Sequence, residues 1–270
     1  MIDDYCSVKD DGAGIYTWNG GNPVKQNVNR IITGNIISNG IGNSYGTFDR
    51  NATLSGKGRG IYMDNNVNHV EITDNTVFNI KSEGMHHNSP SFLTIKGNTF
   101  FNIGSCLDLV RWANDGTRPE NGGQDITNIN MQNNIFFTLS AEQGACSYSD
   151  RNENFPISSS AQERISKIGV IDNNYYHLPN EFGFQYLKNK RLTFSAWKSV
   201  TGFEQHGEII PIIPADQIND RVKFEVNLTK ESKTIILDGK YISADHKIYN
   251  GSVTLLPFCS VILMKYNPAQ

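Results

Sequence analysis

The sequence predicts an all-β solenoid with a small antiparallel β module at its C-terminal end, and three observations predict it. A short phrase recurs: an apolar residue, any residue, then Asp, Gly or Asn, then Asn, then apolar or aromatic residues. Its copies end their polar part at Asn35, Asn75, Asn98, Asn134 and Asn174, and the shortest step, 98 − 75, is 23 residues. Repeats of that size, made of short strands and tight polar turns, mark a stacked architecture. A second strand type opens on a small residue, as in Gly60-Ile61-Tyr62-Met63-Asp64 and Gly84-Met85-His86-His87-Asn88. Finally, the composition is rich in Gly and Asn, with only 19% charged residues and no long Leu/Ala-rich window, which favours strands and turns over helices.

Taken in order, residues 14–18, 60–64, 84–88 and 144–148 read as copies of this Gly-led strand, and 106–110 as a looser copy led by Cys106. Alternation puts Ile15, Ile61, Met85, Leu107 and Ala145 inside. It leaves Tyr16, Tyr62, His86, Asp108 and Cys146 in one outward column, with Trp18, Asp64, Asn88, Val110 and Tyr148 in the column beside it. Residues 68–73, 91–96 and 127–132 alternate apolar and polar ahead of each Asn phrase, as half-buried strands do. Asp, Gly or Asn before the phrase's Asn tolerates positive φ and makes the turn. The Asn side chains, stacked from copy to copy, suit a ladder of amide hydrogen bonds. The apolar residues after the Asn point into the core.

Loops at 39–59, 111–124 and 149–163 interrupt the copies and flank the outward columns. The division expected is residues 1–180 for the stacked part, 181–218 for a connecting and capping segment with a short helix near Trp197, and 219–270 for the antiparallel module. That module is expected to cap the end of the stack, because an open end is a sheet edge.

The bulk numbers exclude several classes. With 24 Lys and Arg against 27 Asp and Glu the formal charge is −3, which gives no basic field for nucleic acid. No run of about 18 apolar residues suggests a membrane span, and Met1-Ile2-Asp3-Asp4-Tyr5 does not read as a signal peptide. Because repeat-like sequence begins almost at once, further copies upstream are expected. The four cysteines, at 6, 106, 146 and 259, fit no metal-ligand spacing and read as free thiols.

The Asn phrases over residues 1–180 resemble those of the right-handed parallel β-helix superfamily, the pectate-lyase-like architecture. The pair 60–64 and 84–88 resembles paired strands of bacterial β-helix glycoside hydrolases, and the runs Thr201-Gly202-Phe203-Glu204-Gln205-His206 and Ile236-Leu237-Asp238-Gly239-Lys240-Tyr241 are similar to their C-terminal segments. The resemblance implies a right-handed parallel β-helix, a polysaccharide or oligosaccharide substrate, and an extracellular or periplasmic location. The motif sets of polygalacturonases and pectate lyases are not present, and the coil after Asp64 offers His86, His87 and Asn88 where a second carboxylate is expected.

Glycosidic bonds are commonly cleaved by two carboxyl groups. Asp64 and Asp108 are the candidate pair, at a separation that suits inversion better than retention, and His86 between them is a candidate acid or base. Glu83 and Glu142 are reserve acids. For substrate binding the candidates are Tyr16, Trp18, Tyr62 and Trp112 as apolar platforms, His87 and Asn88 beside them, and Arg111, Arg118 and Arg151 for acidic sugars. Asp64 also reads as the cap of the turn that follows it, and His87 as a buried imidazole. No metal site is expected and a hydrolase needs no cofactor; Ca²⁺ would serve a polysaccharide lyase. Asp3, Asp4, Asp10 and Asp11 lack the spacing of a Ca²⁺ loop. Three functions follow: a glycoside hydrolase, a lyase acting on uronate-containing glycan, or a non-catalytic glycan-binding or adhesive solenoid.

Overall fold

The computed structural model describes residues 1–19, 28, 30–43, 56–111, 124–150, 158–187 and 190–266, and they form an all-β protein. The strands are β1 (Gly12–Trp18), β2 (Arg30–Thr33), β3 (Ile36–Ser38), β4 (Gly58–Asp64), β5 (Asn68–Thr73), β6 (Thr76–Asn88), β7 (Ser91–Lys96), β8 (Thr99–Arg111), β9 (Thr127–Gln132) and β10 (Ile135–Phe137). They continue as β11 (Gly144–Asp150), β12 (Gly169–Asp172), β13 (Tyr175–His177), β14 (Phe184–Tyr186), β15 (Lys190–Leu192), β16 (Glu208–Ile209), β17 (Val222–Val226), β18 (Lys233–Ser243), β19 (Ile248–Leu255) and β20 (Ser260–Lys265). Helices α1 (Ser159–Ser166), α2 (Phe194–Thr201) and α3 (Ile218–Arg221) are short.

The Asn phrase organises the fold. The residue before each Asn is left-handed: Gly34, Asp74, Gly97, Asn133 and Asn173 have φ between 54° and 66°. Such residues turn the chain without breaking register. On one side of the turn, β2, β5, β7, β9 and β12 pair in parallel as a five-stranded sheet. On the other, β3, β6, β8, β10, β13 and β16 pair in parallel, and β1, β4, β11 and β14 join them in an eleven-stranded sheet whose one antiparallel partner is β15. The strand after the Asn phrase and the Gly-led strand, expected as separate elements, run together in β6 and β8, with a register shift between Ile80 and Glu83.

Three inward columns meet in the core. Ile61, Met85, Leu107 and Cys146 come from the Gly-led strands, Ile72, Ile95, Met131 and Ile171 from the five-stranded sheet, and Val77, Phe100, Phe136 and Tyr176 from the strands after Asn. All twelve are buried. Phe100, Phe136 and Tyr176 stack with centroids 5.1 and 5.0 Å apart. Gly60 and Gly84 have no room for a side chain: a Cβ on Gly60 would collide with the Gly84 carbonyl and with Val77, and one on Gly84 with the Cys106 carbonyl and Phe100. Close approach of backbones, rather than a turn, explains why these strands open on glycine.

The Asn ladder forms as the sequence suggests. The Nδ2 groups of Asn35, Asn75, Asn98 and Asn134 donate to the Oδ1 atoms of Asn75, Asn98, Asn134 and Asn174 at 2.9–3.0 Å. Each Oδ1 also accepts the backbone N–H of the preceding Asn. The last rung, Asn174, donates to the buried Glu204 carboxylate at 2.7 Å, which Tyr176 also reaches at 2.7 Å. Burial pushes the Glu204 carboxyl up, against the pull of the Tyr176 and Asn174 donors.

The C-terminal sheet, ordered β17-β20-β18-β19, is antiparallel but does not cap the end of the stack as expected. It packs along the side formed by β6, β8 and β10. Phe224 of β17 stacks on Phe101 at 4.2 Å and meets Phe78 at 5.2 Å, and Ile210, Ile213, Ile262 and Met264 cluster with Phe137. The end is covered by α2, whose buried Trp197 packs on Phe184 and Phe203. Thr193 caps α2 and Gly202, at φ 77°, ends it.

Removing a middle rung should cost more than removing the outer one. Asn98→Ala strips acceptors from the buried Asn75 side chain and backbone, and unsatisfied buried groups cost about 1–3 kcal/mol each. Urea unfolding should show a loss of about 3 kcal/mol for Asn98→Ala. Asn35→Ala, which removes only donors at the ladder's exposed end, should cost about 1 kcal/mol. Equal losses would contradict the ladder's role.

Candidate functional site

The register sets an outward column of Tyr16, Tyr62, His86 and Asp108, as expected, and then Ser147. The fifth copy is corrected by one residue. Cys146 pairs with Leu107 and is buried in the core, where burial holds its thiol well above the ordinary range, and Ser147 takes the outward place. Tyr148 likewise pairs with Leu109 and is buried.

Asp64 and Asp108 do not meet. Asp64 ends β4 and Asp108 lies in β8, with β6 between them. Asp64 is a structural hub: Oδ2 accepts the Tyr16 hydroxyl at 2.8 Å, and Oδ1 accepts the Asn88 side chain at 2.8 Å, the Asn65 backbone N–H at 2.9 Å and the Tyr62 hydroxyl at 3.1 Å. These donors hold the turn after β4, where Asn65 and Asn66 have φ of 29° and 61°. Burial, with the Asp64 charge behind it, raises both the Tyr16 and Tyr62 phenols, so they act as donors.

Asp108 instead meets Glu83 and His86. One ligand atom from each of Glu83, His86 and Asp108 lies within 4.8 Å of the others, and this group could hold a metal ion. The Asp108 Oδ1 accepts the Ser147 hydroxyl at 2.6 Å and the Ser105 hydroxyl at 2.7 Å, and its Oδ2 lies 3.7 Å from His86 Nδ1. Burial alone would raise the Asp108 carboxyl. The neighbouring His86 and the two hydroxyls outweigh it and hold the group below the usual carboxylate range. Glu83 takes the Ser82 hydroxyl and, at 3.0 Å, Arg59 Nε, both on Oε2. Arg59 is itself clamped, 2.6 Å from Asp11 and 4.6 Å above the Tyr62 ring.

The remaining candidates divide clearly. Tyr16 and Trp18 are about half exposed (50% and 52%) and stay available as platforms, whereas Tyr62 is buried between Tyr16, Arg59 and His86. Asn88 is buried and joins Asp64 to His86. His87 does not reach the face. It sits in register with Met63 and Leu109, fully buried, with neither ring nitrogen hydrogen-bonded. Arg111 is turned to structure, 2.7 Å from Asp125 and 3.3 Å from the buried Asp150, which Arg164 of α1 also binds at 2.9 Å. Trp112, Arg118 and Arg151 lie outside the described residues.

A cleft of about 780 Å³ opens beside this centre, with Glu83 and Ser105 in its wall and Lys57, Lys81, Asn79 and Asn102 along it. Sequence reading kept Glu83 only as a reserve acid and missed Arg59, Ser105 and Ser147. The signal for Ser105 was the Ser-x-x-Asp run ending at Asp108, which places a hydroxyl three residues before that carboxylate, whereas nothing local marked Ser147. The chain matches no family model, no curated protein and no solved structure in the comparisons made.

His87 gives a pH prediction. Burial, and then the neighbouring His86, lowers its pKa from 6.5 to about 3. The folded protein therefore binds fewer protons than the unfolded chain between these values, so stability is full above about pH 6.5 and falls as pH drops toward 3. Each such pH unit is worth about 1.4 kcal/mol per group. Between pH 7.5 and 4.5, urea unfolding should show His87→Leu losing about 2–3 kcal/mol less than the wild type. Parallel pH profiles would refute the assignment.

Proposed function

We propose that the chain is a carbohydrate-active enzyme on a right-handed parallel β-helix, resembling the pectate-lyase-like superfamily and, within it, bacterial β-helix glycoside hydrolases. The parallel pairing of both large sheets and the Asn ladder support the fold reading. Stacked repeats present extended side surfaces, and such surfaces are the ones that repeat architectures use for binding.

The reaction assigned is cleavage of a polysaccharide or oligosaccharide, as a glycoside hydrolase. The observation that carries it is the convergence of Glu83, His86 and Asp108 within 4.8 Å at the edge of the cleft. Asp108 is held ionised by the neighbouring His86 and by its two hydroxyl donors, and supplies negative charge where an oxocarbenium-like transition state develops positive charge. Glu83 replaces Asp64 as the second carboxylate. The cleft's amide and hydroxyl groups, Asn79, Asn102 and Ser105, suit sugar hydroxyls, and the exposed Tyr16 and Trp18 offer rings for stacking.

A lyase acting on a uronate-containing glycan is the second reading, favoured by Lys57 and Lys81 along the cleft, whose charges would face uronate carboxylates. From the same resemblance we infer an extracellular or periplasmic location. Among the described residues no helix is long and apolar enough to cross a membrane.

The test is a panel of neutral and uronate-containing polysaccharides incubated with the wild type, Asp108→Asn and Glu83→Gln. New reducing ends are expected with the wild type, with kcat lower by about 10³-fold in Asp108→Asn, a loss of about 4 kcal/mol of transition-state stabilisation. Absorbance from an unsaturated product would replace the hydrolase by the lyase. Binding without turnover by the wild type, unchanged in both variants, would sink the enzyme reading in favour of a glycan-binding protein.

A further inference from the structure

We infer that Glu83, His86 and Asp108 bind a divalent cation that accepts mixed nitrogen and oxygen ligands, Zn²⁺ or Mn²⁺. The argument begins at Asp64, which as an acceptor fixes the Asn88 amide with Nδ2 toward it at 2.8 Å. The Asn88 Oδ1 then faces His86 Nε2 at 3.1 Å, so Nε2 must carry the hydrogen and donate it. In neutral His86 the other nitrogen, Nδ1, is therefore a bare lone pair. That atom is buried and has no hydrogen-bond partner. It is aimed at the Asp108 Oδ2, another acceptor, at 3.7 Å.

Each of the three groups is oriented by protein hydrogen bonds or ion pairs on one atom, the two carboxylates by donors and the imidazole by an acceptor, and leaves another atom free. The two hydroxyls on Asp108 use Oδ1. On Glu83, Ser82 and Arg59 both use Oε2. On His86, Asn88 uses Nε2. The free atoms are acceptors only, and ligand atoms of the three residues converge within 4.8 Å. Acceptors facing one another with no donor between them repel unless something positive sits among them. A cation answers this, and a histidine whose second nitrogen is pinned by an amide oxygen is the arrangement that orients metal ligands. One imidazole with two carboxylates suits Zn²⁺ or Mn²⁺, whereas Ca²⁺ takes oxygen ligands. The competing occupant is a proton on Nδ1, which makes an imidazolium facing Asp108.

The inference uses the reaction centre proposed above but not its substrate, so the two fail separately. Titration calorimetry of chelator-stripped full-length protein at pH 7.5 should show one Zn²⁺ or Mn²⁺ bound per chain. His86→Ala and Asp108→Asn should weaken it at least about 100-fold, and Asn88→Ala, which removes no ligand but frees the imidazole and takes a donor from Asp64, by about 10–100-fold. Ca²⁺ should bind at least about tenfold more weakly than Zn²⁺. No stoichiometric binding, binding unchanged in His86→Ala, or Ca²⁺ binding as tight as Zn²⁺ would overturn the inference. Should the variants fail to fold, nitrogen NMR of the wild type decides. The His86 Nδ1 resonance should shift on adding Zn²⁺ while Nε2 stays protonated, and an Nδ1 that is protonated and unmoved by Zn²⁺ would overturn the site.

Discussion

Everything in the molecule hangs on the one-way chain of asparagine amides from Asn35 to Asn174. Each amide answers two donors from the rung before it and gives one to the rung after, so a buried polar side chain that would be costly alone is satisfied by its copies. The ladder is at once a fastening and a ruler. Strand pairing by itself allows slips of one residue, and each slip would turn every side chain to the opposite face. An Asn that must find the next Asn forbids the slip, and the aromatic stack of Phe100, Phe136 and Tyr176 repeats the same register one residue pair away.

The outward column inherits that register, and its polar groups sort by donor and acceptor. At one end Tyr16 and Tyr62 supply hydroxyl donors to Asp64, and Asn88 adds an amide. At the other, Ser105 and Ser147 supply hydroxyls to Asp108. Between them donors are scarce. His86 gives its Nε2 hydrogen to Asn88, and its Nδ1, 3.7 Å from Asp108 Oδ2, makes no hydrogen bond, so carboxylate and imidazole atoms gather at Glu83, His86 and Asp108. Arg59 answers only the Glu83 side, and its position over the Tyr62 ring is fixed by Asp11.

Much of this could be read from the chain. The Asn phrase gave the turns, because only Gly, Asn and Asp enter the left-handed region cheaply, and the first four Gly-led copies gave the column through Asp108. The fifth copy misled because Gly144 pairs with Ser105, one place earlier than the position Gly84 holds, so counting from the glycine shifted Cys146 into the column. The place of the C-terminal sheet was signalled but not used. Val77-Phe78, Phe100-Phe101 and Phe136-Phe137 are apolar on both faces of a strand, which means that a second layer must cover the outer face. Arg59 stood in a glycine-rich stretch with no pattern to mark it, and Glu83 lay beside the register shift in β6, where alternation cannot be counted through.

The ladder's two ends are chemically unlike. All its amide dipoles point one way, so their partial charges add along the stack as peptide dipoles do along a helix. The donor end closes on a buried carboxylate, Glu204, supplied by the segment after α2. The acceptor end, the Oδ1 of Asn35, has no partner among the described residues. The stack is thus polarised, and its two ends ask for opposite partners: the last amide hydrogen is taken by a carboxylate, whereas the first amide oxygen is matched only by a hydrogen-bond donor.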